Sequence, residues 1–157
     1  MSVSEDEHST GMGVIILADL IRAYEDTNYC VSAATDMMIL RIGRPFNGLD
    51  GVIGLSRLAI VTAFNPFSRT QAQSLNEENQ ARLIGSVESE GLDWLSAYGE
   101  DPTGEWPPEP SLAVLNPTDA QLDQWMEMFG QNAVVIAECG GVAALRLHPR
   151  HIKSRRS

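Results

Sequence analysis

Residues 58–69 read Leu58-Ala-Ile-Val-Thr-Ala-Phe64, then Asn65-Pro-Phe-Ser-Arg69. The first part is short and apolar, which by length and composition predicts a buried strand. Beyond it, Ser74 and Glu77 stand at capping-box spacing, predicting a helix that stops at Gly91. Leu92–Tyr98 reads as a strand, followed by a loop rich in Gly and Pro. Ser111–Leu115 is the next strand, closed by Asn116-Pro117. Thr118 and Gln121 form a second capping box, and Leu122, Trp125, Met126 and Phe129 give the following helix its apolar stripe. Gly130 ends that helix, and Ala133–Ala137 with Val142–Leu147 form a hairpin around Gly140-Gly141.

From Leu58 to Ala137 the order is therefore βαββαβ, the split βαβ arrangement of ferredoxin-like sandwiches. Upstream, Leu17, Leu20, Ile21 and Tyr24 mark an amphipathic helix over Val14–Asp26. Asn28–Ala33 and Met37–Ile42 read as a hairpin, and Arg44–Arg57 as a Gly-rich loop with a short helix around Val52–Ser56. The expected fold class is α+β. It has a ferredoxin-like split βαββαβ core over about 58–137, an N-terminal helix and β-hairpin, and a C-terminal extra strand. Residues 1–12 read as a disordered acidic tail, 13–148 as one domain, and 149–157 as a disordered basic tail.

Right-handed crossovers fix the strand directions in such a core. One rim then gathers the end of the first strand, the start of the first helix, the Gly99–Ser111 loop and the Gly130–Asn132 junction. Helix positions 76, 79, 80, 83, 84 and 87 share one stripe: Leu83, Ile84 and Val87 give way to Asn76, Asn79 and Gln80 toward the rim. A buried amide left unpaired costs about 1–3 kcal/mol, so these must bond to loops or to a ligand. The candidate ligand-binding set is Asn65, Ser68, Arg69, Asn76, Asn79, Trp106, Glu109, Ser111, Gln131 and Asn132. Two readings stand. In one, the rim is a polar pocket in which Arg69 and the helix N-terminus face an anion. In the other, the same residues tie long loops to the core, with Trp106 as a hydrophobic plug.

Composition bounds the function. The chain has 157 residues, 43% hydrophobic and 20% charged, which suits one soluble domain. Its net charge is −10, and residues before Arg146 carry −15, which argues against a nucleic-acid or anionic-membrane surface. No targeting or membrane-spanning segment is read, and two cysteines without a CxxC suggest a reduced, cytoplasmic protein. His8, His148 and His151 all lie near the ends of the chain, which speaks against a Ser-His-acid triad at the rim. No metal site or cofactor motif is expected.

The spaced segments Thr62–Arg69, Asn79, Gly99-Glu-Asp-Pro-Thr-Gly-Glu-Trp106, Glu109-Pro-Ser111 and Phe129-Gly-Gln-Asn-Ala133 together resemble a bacterial family, domain of unknown function 3293. Ala23-Tyr24 and Leu40-Arg-Ile-Gly43 extend the resemblance to roughly residues 20–148. Pro108 departs from it, in a segment that is often more acidic in relatives. The resemblance implies a small bacterial domain and carries over no activity, cofactor or catalytic residue. The expectation is a module that binds a small polar ligand or a protein partner, with no role at a membrane. The alternative is an enzyme, a hydrolase or transferase, with Glu109 as its acid or base.

Overall fold

The computed structural model describes residues 10–33 and 36–151, with side chains from Leu17 onward. In chain order these form α1 (Thr10–Glu25), β1 (Asn28–Ala33), β2 (Asp36–Leu40), β3 (Pro45–Phe46) and β4 (Arg57–Val61). A 3-10 turn (Pro66–Ser68), α2 (Gln73–Ser89), β5 (Trp94–Glu100) and β6 (Glu109–Leu115) follow. Then come α3 (Asp119–Phe129), β7 (Ala133–Glu138) and β8 (Gly141–Leu147). The strands make one sheet in the order β2-β1-β5-β6-β4-β7-β8-β3, antiparallel at every pairing.

This overturns the expected ferredoxin-like core with its appended hairpin and extra strand. The β1–β2 hairpin is part of the same sheet, since β1 pairs with β5 from Asn28↔Glu100 to Val31↔Ala97. At the other end, β3 pairs with β8 through Pro45↔Val142 and Phe46↔Gly141. Strands β2 and β3 follow one another in the chain yet stand at opposite ends of the sheet. The Gly43 N–H donates to the Ala143 carbonyl at 2.8 Å, and the Ala143 N–H donates to that of Arg44 at 3.0 Å. The short link thus draws the two ends together, and the eight strands curl into a nearly closed, barrel-like sheet. Twist accumulating over so many strands favours that closure over a flat layer.

Closure creates two cores. Inside the sheet lie Tyr29, Val31, Leu40, Phe46, Leu58, Ile60, Ala113 and Val135. The opposite face of the same strands presents Ala59, Val61, Leu112, Val114 and Val134 to Leu83 and Val87 of α2 and to Leu122, Trp125, Met126 and Phe129 of α3. Strands β4, β6 and β7 are therefore buried on both faces over much of their length, which explains the apolar runs Leu58–Val61, Leu112–Leu115 and Ala133–Ala137. Small side chains at Ala97, Ala113, Ala137 and Ala143 suit the narrow interior.

Local structure holds further corrections. The Thr118–Gln121 capping box forms, with the Gln121 N–H donating to Thr118 Oγ1 at 3.1 Å and the Thr118 N–H to Gln121 Oε1 at 2.9 Å. The Ser74–Glu77 box does not: α2 begins at Gln73, its N-cap is Ala72, and no side chain caps it. Val52–Ser56 forms turns, and the ordered element of that stretch is β3. Helix α1 starts at Thr10, inside the segment read as an acidic tail. The remainder of that tail (1–9) and most of the basic tail (152–157) lie outside the described residues. Among the described residues no helix is long and apolar enough to cross a membrane.

Candidate functional site

Beyond Val61 the chain buries Ala63 and Phe64 and then turns sharply. Asn65, Phe67 and Ser68 adopt left-handed φ values of 47°, 53° and 62°. Each such non-glycine residue costs about 1–3 kcal/mol, so the surrounding structure must hold the turn in place. It does so from two sides. Asn65 accepts from Asn76 Nδ2 on its Oδ1 at 2.9 Å and donates its backbone N–H to Asn76 Oδ1 at 2.9 Å. Gln71 Nε2 donates to the same Asn76 oxygen at 2.7 Å. From the other side, the Phe67 N–H donates to the Gly130 carbonyl, and Gln131 Nε2 donates to that of Phe64 at 3.0 Å. Gly130 itself has φ 64°, and a Cβ there would stand 2.9 Å from Pro66 Cβ and 3.1 Å from Phe67 Cε2. Only glycine lets α3 end this close to the turn.

The amide stripe of α2 is used in this way. Asn76 and Gln80 are buried; Gln80 Oε1 accepts the Ala63 N–H at 2.8 Å, and Gln80 Nε2 donates to the Pro110 carbonyl at 3.4 Å. Thr62 Oγ1 donates to that carbonyl at 2.7 Å. Asn79 is half-buried on the same stripe, and Ser111 is buried with its hydroxyl donating to the Glu109 carbonyl at 3.2 Å. Trp106 is 61% exposed and plugs nothing.

Glu109 begins β6 on the interior face, shared with Ala113, and registers opposite Gly99. Asn65 Nδ2 donates to its Oε2 at 3.3 Å. Burial pushes the carboxyl up to about 7, against that hydrogen bond, which favours the charged form. The phenols of Tyr24 and Tyr29 close the same end of the barrel. Burial raises both well above the usual phenol range; the Glu109 charge adds to it at Tyr24, and Tyr24 and then Glu109 add to it at Tyr29.

The C-terminal segment supplies a part of the rim that sequence reasoning missed. His148 and His151, expected to lie away from it, belong to it. His151 Nε2 lies 2.8 Å from Asn132 Oδ1, and Asn132 Nδ2 donates to Ser68 Oγ at 3.3 Å. The Arg150 guanidinium stacks 4.0 Å from the centre of the Phe67 ring, and the Arg150 N–H donates to His148 Nδ1 at 3.0 Å. Burial, then the Arg150 charge, lowers both imidazoles below their usual value. Pro66, Phe67, Arg69, Thr70, Gln71 and Arg150 line a groove of about 390 Å³.

A larger groove of about 530 Å³ flanks β8 and includes Arg57, Asp119, Glu138 and Arg146. Its charges are already paired: Arg57 with Asp119 at 2.8 Å and with Glu138 at 3.3 Å, and Arg146 with Asp119 at 3.4 Å and with Asp123 at 2.9 Å. Among the described residues, neither Arg69 nor Arg150 has a carboxylate partner. No group of three or more His, Cys, Asp or Glu side chains among them is placed to hold a metal ion.

Fold and rim together define an α+β protein: a barrel-like antiparallel sheet, helices on its outer face, and a strained polar turn at one end. Residues 61–134, the stretch that contains that turn and its anchors on α2 and α3, match the model of the family described as Protein of unknown function (DUF3293), and this segment belongs to it. The match is shorter than the stretch over which the sequence resembles the family, and Tyr24, Tyr29, His148 and Arg150 lie outside it. No curated protein and no solved structure matches the chain.

Proposed function

We propose that this domain is a binding module and that the rim around Asn65–Arg69 receives a small polar ligand. The observation that carries this reading is the turn itself. Three left-handed non-glycine residues are retained, and buried amides from α2 and the α3–β7 junction hold them. Strain fixed this firmly is a feature of sites where display of particular groups matters more than loop stability. The groups displayed are Phe67, Arg69 and Gln71. Two free cysteines, Cys30 and Cys139, accord with a reducing, cytoplasmic setting.

An acid-base role for Glu109 has support in its near-neutral titration. Glu109, however, lines neither groove, and the binding reading accounts for more of the rim. A thermal-shift screen of polar metabolites and nucleotides tests the proposal. The expected result is a ligand that raises Tm in the wild type and loses that effect in Arg69→Ala. If no ligand moves Tm, and if Asn65→Ala and Gln131→Ala do nothing except destabilise, the rim only ties its own loops.

A further inference from the structure

We infer that Arg69 and Arg150 clamp the anionic group of a small ligand whose flat apolar part rests on Pro66, beside the Phe67 ring that Arg150 covers. This rests on the rim being a ligand site, and it adds the chemical class of ligand and a second residue that binds it. The two arginines come from distant parts of the chain, one at the end of the strained turn and one just after β8, and meet along one groove. Unlike Arg57 and Arg146 of the larger groove, which are paired with carboxylates, Arg69 and Arg150 have no such partner among the described residues and keep their charge for a ligand. Arg150 is also held in place. Its guanidinium lies over the Phe67 ring and its backbone N–H is tied to His148, so binding an anion there loses little side-chain freedom.

A guanidinium presents paired donors that match carboxylate, sulfonate and phosphate oxygens, and Gln71 and Thr70 add neutral polar groups beside them. The volume suits a small molecule. His148 and His151 stand behind Arg150 and Asn132 as supports, and their depressed titration keeps them neutral at pH 7 and above.

The test is NMR titration of the full chain with naphthalene-1-sulfonate and with its neutral counterpart, naphthalene-1-sulfonamide. The sulfonate keeps its charge across the working pH range. Expected are shifts at Phe67, Thr70 and Gln71, and a loss of affinity of about tenfold in each of Arg69→Gln and Arg150→Gln. The sulfonamide should bind at least about tenfold more weakly than the sulfonate, and Arg44→Gln, at the opposite end of the barrel, should change nothing. If the sulfonamide binds at the rim as well as the sulfonate, or Arg150→Gln keeps full affinity, the anion clamp is wrong while the rim stays a ligand site. If neither probe shifts a rim residue, both readings fall. Should Arg150→Gln unfold, Arg150→Lys, which keeps the charge and loses the fork, should still bind the sulfonate more weakly than the wild type. Equal binding by that variant would count against the clamp.

Discussion

Asn65 and Asn76 exchange two hydrogen bonds of 2.9 Å each, one between side chains and one from the Asn65 backbone. The pair joins the strained turn to the first part of α2, and Asn76 is buried. Asn76→Ala leaves the Asn65 backbone N–H and the Gln71 side-chain amide without their partner, and takes from Asn65 Oδ1 one of its two donors. The expected loss is about 2–4 kcal/mol in urea unfolding. Asn79→Ala, on the same stripe and only half-buried, should lose less than about 1 kcal/mol. Equal losses would mean that the pair does not hold the turn.

Gly130 and Gly85 make opposite predictions. An alanine at 130 would need φ 64° and would press its methyl against Pro66 and Phe67. Left-handed backbone costs about 1–2 kcal/mol, and the crowding adds about as much, so Gly130→Ala should lose about 2–4 kcal/mol. Gly85 lies inside α2 with open space around its missing Cβ. Gly85→Ala should therefore gain about 0.5–1 kcal/mol. Thermal unfolding of the two variants beside the wild type decides the matter.

What the sequence disclosed follows from the range of the forces involved. Leu58–Val61 and Leu112–Val114 read as strands because burial on both faces leaves no polar alternation. Asn76 and Gln80 stood out because amides on an apolar stripe need partners, and their loops were nearby candidates. Closure of the sheet was not legible. It depends on backbone bonds of Gly43 and Arg44 to Ala143, which leave no side-chain pattern and sit in a stretch whose glycines read as loop. The Ser74–Glu77 spacing misled because the helix starts two residues earlier than a Ser74 cap implies, at Gln73 with Ala72 as N-cap, beside the Gln71–Asn76 hydrogen bond. Arg150 and His151 were hidden by composition: a basic terminus reads as solvated until Phe67 and Asn132 are found beneath it.

Trp106 separates the two early readings of the long β5–β6 loop. A plug would be costly to remove, whereas a ring that is 61% exposed should not be. Trp106→Ala is expected to stay within about 0.5 kcal/mol of the wild type in urea unfolding. A loss of 2 kcal/mol or more, of the order expected for a buried aromatic, would restore the plug.

Glu109 makes stability depend on pH in a direction opposite to that of a salt-bridged carboxylate. Its ordinary value is 4.5 and its folded value about 7, raised by burial. Below about 4.5 the group is protonated whether the chain is folded or not, and it contributes no pH dependence. As pH rises toward 7, the unfolded chain ionises Glu109 freely while the folded chain retains the proton, so stability falls. Above 7 the folded chain carries the full cost of a desolvated carboxylate, about 3 kcal/mol relative to acid. Tyr24 and Tyr29, the phenols that face it, stay neutral throughout this window and cannot mask the effect. Glu109→Gln keeps an acceptor for Asn65 and removes the charge. It should match the wild type near pH 4.5 and exceed it by up to about 3 kcal/mol at pH 8, in urea unfolding across that range. Parallel curves for the two proteins would show that Glu109 titrates like a solvated carboxylate. The proton would then have no hold on Asn65, and so none on the turn that carries Arg69.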